Sequence, residues 1–214
     1  MAGEMTPGMT AGEPRLAEWG VAALPLAGQT TCGDRHLVQP FPGGLLAGAV
    51  DGLGHGEAAA AAADIAVATL AGSAGEALPA LVRRCHERLR ETRGAVMSLA
   101  SIDAPRETLS WLGIGNVEAV LVHGAEDARP TRRLLVARPG VVGYALPRRL
   151  EPEALPVHAG DVLVFATDGI DPGGLAQLRP LGPPRRVAER VLARHAFGSD
   201  DALVLVLRYL GRKR

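Results

Sequence analysis

Four acidic positions in this chain share one local grammar. Asp51 ends the apolar run Leu45-Leu46-Ala47-Gly48-Ala49-Val50 and opens the segment Asp51-Gly52-Leu53-Gly54-His55-Gly56. Asp168 ends the run Val162-Leu163-Val164-Phe165-Ala166-Thr167 and is followed by Gly169. Asp34 follows Gly33 ahead of the first of these runs, and Asp200-Asp201 stand immediately before the last, Ala202 to Tyr209. Taken singly, each has an ordinary structural reading, because Asp-Gly is a common turn dipeptide. If the four strand tips meet, however, unscreened carboxylates repel one another, and bound cations are the natural compensation. Hard cations such as Mg²⁺ or Mn²⁺ take carboxylate, carbonyl and water oxygens.

The glycines around Asp51 invite a second reading, since a strand, a Gly-rich loop and a helix N-terminus together attract phosphate groups. In Gly52-Leu53-Gly54-His55-Gly56 the third glycine comes one residue early for G-x-G-x-x-G, and Asp51 would set negative charge beside a pyrophosphate. A carboxylate belongs next to a phosphate when divalent cations lie between them, so a metal site is the better hypothesis. Other chemistries are less well supplied. Cys32 and Cys85 lack a C-x₅-R phosphate loop and any metal-like spacing, and read as buried thiols of a reducing compartment. His55 has an unperturbed pKa near neutrality and could donate a proton, or simply shape its loop. Arg35 adjoins Asp34, but the sequence does not say which way it points.

The elements that must position these residues follow from hydrophobic period. Trp19 to Leu26 and Gly44 to Val50 read as short strands, and the Ala-rich stretch Gly56 to Leu70 as a helix. A second helix is predicted over Glu76 to Arg93, where Leu78, Leu81, Val82, Cys85 and Leu89 form one apolar stripe. After Gly94 come short runs that read as strands: Ala95 to Ile102, Glu107 to Ile114, Val117 to His123, Arg132 to Ala137 and Val162 to Thr167. Gly115-Asn116 has the residue types of a tight two-residue hairpin. Pro183 to His195 suggests a helix with proline near its start, and Ala202 to Tyr209 a closing strand. Helices segregated from many non-parallel strands argue an α+β fold.

Composition bounds the answer further. At 214 residues, with 47% hydrophobic and 21% charged side chains, the chain suits one globular domain, predicted over 15–210. Residues 1–14, rich in Gly, Pro, Thr, Met and Glu, read as a flexible tail. No apolar stretch reaches membrane-spanning length, and Met1 to Gly20 lacks a basic leader with an apolar core, so a cytoplasmic location is expected. The net charge of zero conceals an asymmetry: residues 1–128 carry 8 basic and 15 acidic side chains, residues 129–214 carry 15 and 8. A basic surface for an acidic or phosphorylated partner is one reading, a solvated surface the other. Nucleic-acid binding is disfavoured, because no aromatic residues interleave the arginines.

The segments Gly33-Asp34, Asp51-Gly52-Leu53-Gly54-His55-Gly56, Gly94-Ala95-Val96-Met97-Ser98-Leu99, Gly113-Ile114-Gly115-Asn116-Val117, Thr167-Asp168-Gly169-Ile170 and Ser199-Asp200-Asp201-Ala202 occur in a telling order. Over about residues 28–208 the chain resembles the metal-dependent protein phosphatases (PPM), in their bacterial SpoIIE branch. With one such domain and no attached sensor, it is similar to the RsbX-type phosphatases, which act on phosphoserine or phosphothreonine in STAS-domain proteins of stress-signalling complexes. The resemblance implies a central β-sandwich of two mostly antiparallel sheets flanked by helix pairs, with two Mn²⁺ or Mg²⁺ ions at one end. By matched position, Asp51 would bridge both ions and Gly52 would offer its carbonyl to one. Asp168 and Asp200 would hold the second, and Asp34 would serve the first directly or through water. Asp201 is the alternative to Asp200, because adjacent acids leave the register open. Many relatives place a phosphate-binding arginine where this chain has Gln29, Thr30, Thr31 and Cys32.

The expected activity is therefore hydrolysis of a phosphorylated STAS-domain or related regulatory protein by metal-activated water, with Asp51 and Asp168 central to catalysis. A phosphatase-like module that binds a phosphoprotein without cleaving it is the non-enzymatic alternative. A nucleotide-binding enzyme built on the glycine loop is the third.

Overall fold

The structure, a computed structural model, describes residues 15–125 and 130–212. The predicted tail, residues 1–14, lies outside the described residues. In chain order the elements are β1 (Ala17–Leu24), β2 (Asp34–Phe41), β3 (Gly44–Gly52), α1 (Glu57–Ala71), α2 (Leu78–Leu89), β4 (Ala95–Asp103), β5 (Thr108–Ile114), β6 (Glu118–His123), β7 (Thr131–Leu135), β8 (Glu153–Pro156), β9 (Val162–Ala166), α3 (Pro172–Ala176), α4 (Pro184–His195) and β10 (Ala202–Tyr209).

The strands form two antiparallel sheets, ordered β1-β10-β9-β6-β7 and β2-β3-β4-β5-β8. Strands β3, β9 and β10 are buried along nearly their whole length, as their unbroken apolar runs require: each has a sheet neighbour on both edges and a packed layer on both faces. Between the sheets lie Ala47, Ala49, Ile102 and Trp111 from one side and Leu121, Phe165, Leu205 and Leu207 from the other. The outer face of the second sheet packs Leu46, Val50 and Met97 under α1 and α2, through Ala62, Ala66, Leu70, Leu81 and Cys85. The outer face of the first sheet packs Val164, Val204 and Val206 under Val187, Ala188 and Val191 of α4. The result is the expected α+β sandwich in four layers, with one flank a helix pair and the other α4 joined by the five-residue α3.

Several features depart from the sequence reading, among them β8 and α3, which it did not include. Strand β2 is absent from it, because Asp34–Phe41 mixes polar residues and Pro40 into the run; the strand sits at a sheet edge, where proline is tolerated. Gly115-Asn116 does not close a hairpin. β5 and β6 belong to different sheets, so these residues carry the chain across the sandwich. The positive φ that the dipeptide suggested is present at Gly115, φ 93°, where its N–H donates to the Arg138 carbonyl at 2.8 Å. The second helix is also shorter than predicted, ending at Leu89 where its apolar stripe ends. Among the described residues, no helix is long and apolar enough to cross a membrane.

Candidate metal centre

The strand tips meet at one end of the sandwich. Asp34 opens β2 and Asp51 stands near the end of β3, and the two are cross-strand partners. Thr167, buried at the end of β9, joins this pair to the other sheet: its hydroxyl donates to Asp34 Oδ2 at 2.7 Å and accepts from the Leu203 N–H of β10 at 2.8 Å. Asp168 follows Thr167 directly, and Asp200 and Asp201 lead into β10. Short apolar strands ending at a common edge thus bring together carboxylates separated by more than a hundred residues.

Each carboxylate has its own surroundings. Both Asp201 oxygens are taken by main-chain donors, Oδ1 by Leu26 N–H at 2.7 Å and Oδ2 by Gly33 N–H at 2.8 Å, and the side chain is 3% exposed. Asp200 is half-buried and accepts only the Asp201 N–H at 2.8 Å. Asp168 Oδ2 accepts from the Asn116 amide at 2.7 Å. Asp51 makes no side-chain hydrogen bond among the described residues.

Electrostatics record the convergence. Burial first, then the charges of Asp34, Asp168, Asp200 and Asp201, push Asp51 up to about 8. Burial likewise raises Asp34 to about 7, against the opposing Thr167 hydrogen bond and with help from Asp201, Asp168 and Asp200. Asp168 is raised by burial and by Asp200, and held back by its hydrogen bonds from Asn116 and the backbone. None of the principal influences on these three groups is a positive charge. Arg35, the adjacent cation, is turned away: it grips Asp64 of α1 at 2.6 and 3.2 Å and the carbonyls of Cys32 and Asp34 at 2.6 and 3.0 Å.

Among the described residues, no three Asp, Glu, His or Cys side chains close on a single point as one-ion ligands. Asp34, Asp51 and Asp168 instead feel the charges of their acidic neighbours, with no cation among the main influences. An all-oxygen set containing a half-buried carboxylate with no hydrogen bond fits hard divalent cations.

Sequence-predicted Asp34, Asp51, Gly52, Asp168 and Asp200 all lie at this end. His55 is exposed in the loop before α1. Burial lifts the thiols of Cys32 and Cys85 to about 11 and about 12, so both are protonated at neutral pH; Cys85 is buried as expected, whereas Cys32 is only half-buried. Two residues escaped the sequence reading as site members: Thr167, adjacent to an acid already singled out, and Asn116, which was given only a turn; Asp201, named only as the alternative to Asp200, serves main-chain donors instead.

Known proteins share this architecture. Residues 42–210 match the family model of Stage II sporulation protein E (SpoIIE). A curated relative, phosphoserine phosphatase RsbX of Bacillus subtilis (strain 168), is 25% identical over 150 residues, covering 67% of this chain and 70% of that protein. A chain solved in work on the bacterial stressosome, as a modular system adapted to control secondary messenger signalling, superposes with a TM-score of 0.81 at 29% identity over 91% of this chain and all of that one. RsbX in complex with magnesium superposes with a TM-score of 0.77 at 20% identity, covering 92% of this chain and 97% of that one. The family match spans most of the sequence, including the tips that bear Asp51, Asp168 and Asp200, and the chain belongs to the SpoIIE-type branch of the PPM (PP2C) phosphatase family.

Proposed function

We propose that this protein is a metal-dependent phosphoprotein phosphatase that hydrolyses phosphoserine or phosphothreonine on a STAS-domain or related regulator in the cytoplasm. The observation that carries the reading is the gathering of Asp34, Asp51, Asp168 and Asp200 at one end of the sandwich, with no cation among the main influences on the first three. A binding module with no hydrolytic task has no need to keep repelling carboxylates together at a cost in stability. The likeness to a phosphoserine phosphatase, and to a chain from a bacterial stressosome, supports the substrate class.

In this reading Asp51, half-buried and without hydrogen bonds among the described residues, would hold the ions together with the Gly52 carbonyl, Asp34, Asp168 and Asp200. Bound there, two Mn²⁺ or Mg²⁺ ions supply the acidification that makes water a nucleophile at neutral pH and the positive charge that offsets the phosphoryl oxygens. The chain's own residues do the positioning. Thr167 fixes the rotamer of Asp34, Asn116 that of Asp168, and Asp201 ties the segment before Asp34 to the segment carrying Asp200. Asp200, not Asp201, is assigned as the ligand, because both Asp201 oxygens already serve main-chain donors.

The test is Mn²⁺-dependent release of phosphate from p-nitrophenyl phosphate and from a phosphorylated STAS-domain protein. Wild type is expected to hydrolyse both, and Asp51→Asn neither, with the circular dichroism spectrum unchanged. Wild-type rates in Asp51→Asn would overturn the ligand assignment. Tight phosphoprotein binding without hydrolysis by wild type would favour the binding module.

A further inference from the structure

Large apolar side chains that stay in water are unevenly placed on this molecule. Among the described residues the exposed ones are Leu24, Leu134, Val136, Tyr144, Leu181 and Phe197. Leu24, Val136, Tyr144 and Phe197 lie at the end of the sandwich that bears the carboxylates. Leu24 closes β1 opposite Ala202, the first residue of β10. Val136 follows β7 where Leu135 pairs with Ala119 near the start of β6. Phe197 N–H donates to the Gly169 carbonyl at 2.9 Å, beside Asp168 and shortly ahead of Asp200. Tyr144 tips a turn whose Val142 pairs with Ala95, the first residue of β4 and the partner of Gly52. None of these side chains belongs to an apolar core.

Single exposed apolar residues are ordinary; a set gathered around one feature marks an interaction site. Tyr144 is the most exposed of them, at 86%, and its turn is firmly held. Val141 N–H donates to the Ala145 carbonyl and Ala145 N–H to the Val141 carbonyl, both at 2.8 Å. Val142 exchanges two backbone bonds with Ala95, at 2.8 and 2.9 Å, and Gly143 N–H donates to His86 Nδ1 of α2 at 3.0 Å. The ring is thus presented from a fixed backbone with few rotamers to lose on contact, the property that places tyrosine at the energetic centres of protein interfaces. Dimensions decide what can cover the set. Leu24 and Val136 belong to opposite edges of the first sheet, about 19 Å apart at about 4.8 Å per strand spacing. Tyr144 is attached to the second sheet, which packs about 10 Å from the first. A small phosphate ester cannot span them, and an extended peptide follows only one direction. A folded domain, offering about 800 Å² to its partner, spans both.

We propose that Leu24, Val136, Tyr144 and Phe197 form an apolar docking rim around the carboxylate centre, and that the rim takes a folded domain of the phosphoprotein substrate. The inference rests on the phosphatase reading and deepens it: the protein recognises the folded surface around the phosphorylated residue, not its local sequence alone. The phosphoryl group must enter at Asp34, Asp51, Asp168 and Asp200, so a folded protein that delivers it lies across the rim. Contact there removes from water apolar side chains that no core of this chain covers, which favours the docked complex. The matching patch on the partner is apolar, with its phosphorylated residue inside it.

The experiment compares three substrates of the Mn²⁺-loaded protein: p-nitrophenyl phosphate, a folded phosphorylated STAS-domain protein, and a phosphoserine peptide with the sequence around that protein's phosphorylated residue. Wild type is expected to show a kcat/KM for the folded protein about tenfold or more above that for the peptide. Tyr144→Ser/Phe197→Ser should lower kcat/KM for the folded protein about tenfold through KM, and leave the ester and the peptide unchanged. Leu181→Ser is the control, an exposed apolar residue whose neighbours Pro180 and Gly182 accept from Arg208 nearer the opposite end of β10, and it should leave all three unchanged. Titration calorimetry with the unphosphorylated STAS-domain protein reads the same loss without turnover. A folded protein cleaved no faster than its peptide, or an effect of Leu181→Ser as large as that of the double variant, overturns the rim, while ester hydrolysis upholds the phosphatase reading. Sedimentation showing a dimer of this chain that the double variant splits gives the rim to a second copy and overturns the proposal too. Absence of hydrolysis of all three substrates by wild type strikes the phosphatase reading instead, and calorimetry still decides the rim.

Discussion

The Asp201 carboxylate accepts the Gly33 N–H at 2.8 Å across 168 positions of sequence, and with its other oxygen accepts the Leu26 N–H at 2.7 Å. This one side chain pins the connection between β1 and β2 to the start of β10. Gly33 precedes Asp34 and Asp200 precedes Asp201, so the pin sets two candidate ligands against each other. Asp201→Asn can satisfy only one of the two donors and turns an amide N–H₂ toward the second. Leaving a buried donor unmet costs about 1–3 kcal/mol, and each kcal/mol lowers Tm by about 2–4 °C in a domain of this size. The expected result is a lower Tm by calorimetry and weaker Mn²⁺ binding by titration calorimetry, with Asp201→Ala more severe. An unchanged Mn²⁺ affinity would show that the pin does not position the centre.

The pH dependence of stability should run against the usual acid-denaturation pattern. Asp34 and Asp51 hold their protons up to about 7 and about 8, while in the unfolded chain both titrate near 3.8. Between those limits the folded protein binds more protons than the unfolded one, so stability falls as pH rises through the window. Metal-free Tm is therefore expected to decline from about pH 5 to about pH 8, and the Tm gain on adding Mn²⁺ to grow over the same range. Asp51→Asn removes one of the repelling charges and no hydrogen bond. It should raise metal-free Tm at the alkaline end, flatten the slope and abolish most of the Mn²⁺ gain. A flat wild-type profile would mean that the carboxylates are solvated separately and do not share a site.

What the sequence disclosed and what it withheld divide along physical lines. Strands buried on both faces are unbroken apolar runs, so β3, β9 and β10 were legible, and with them the acids at their tips. β2 was not, because an edge strand with one neighbour tolerates polar residues and proline, although it carries Asp34 at its first position. Gly115-Asn116 misled for a related reason. Local residue types specify the backbone turn, which is present, but not whether the next strand pairs in the same sheet, which depends on contacts with β9 and β7 far along the chain. The roles of Asp200 and Asp201 could not be separated by spacing, since only the long-range N–H groups of Leu26 and Gly33 distinguish them.

Asn116 gains a role from that crossover. Its amide donates to Asp168 Oδ2 at 2.7 Å across the gap between the sheets, helping to fix the carboxylate's orientation. Partners that orient a metal ligand in this way typically contribute about 10–100-fold in affinity or activity. Asn116→Ala is expected to raise the Mn²⁺ concentration for half-maximal p-nitrophenyl phosphate hydrolysis by about tenfold, with a smaller effect at saturating metal. Calorimetric titration of the same variant should show the matching loss of Mn²⁺ affinity. A fall in kcat at unchanged metal affinity would instead put the Asn116 amide in contact with the substrate.

The glycines that follow Asp51 and Asp168 are there for space, not for turn geometry. Neither has positive φ. A Cβ on Gly52 would lie 2.0 Å from the Ala59 carbonyl oxygen of α1, and one on Gly169 would lie 2.1 Å from the Asp201 carbonyl oxygen. Both obstacles are backbone, so neither can swing aside as a flexible side chain would. Gly52→Ala must push α1 away from β3, and Gly169→Ala must part β9's exit from the entry to β10, each displacing an adjacent carboxylate. Overpacking of this kind costs typically about 1–3 kcal/mol, and both variants are expected to lose Tm and Mn²⁺ binding together. Gly173→Ala is the control: its Cβ meets nothing closer than 3.4 Å, at the Asp171 side chain, and the position lies in α3. Alanine there should be neutral or slightly stabilising, since alanine favours a helix over glycine. If Gly52→Ala and Gly169→Ala match that control in Tm and in Mn²⁺ affinity, the close approach of these backbones is not what sets the acids in place.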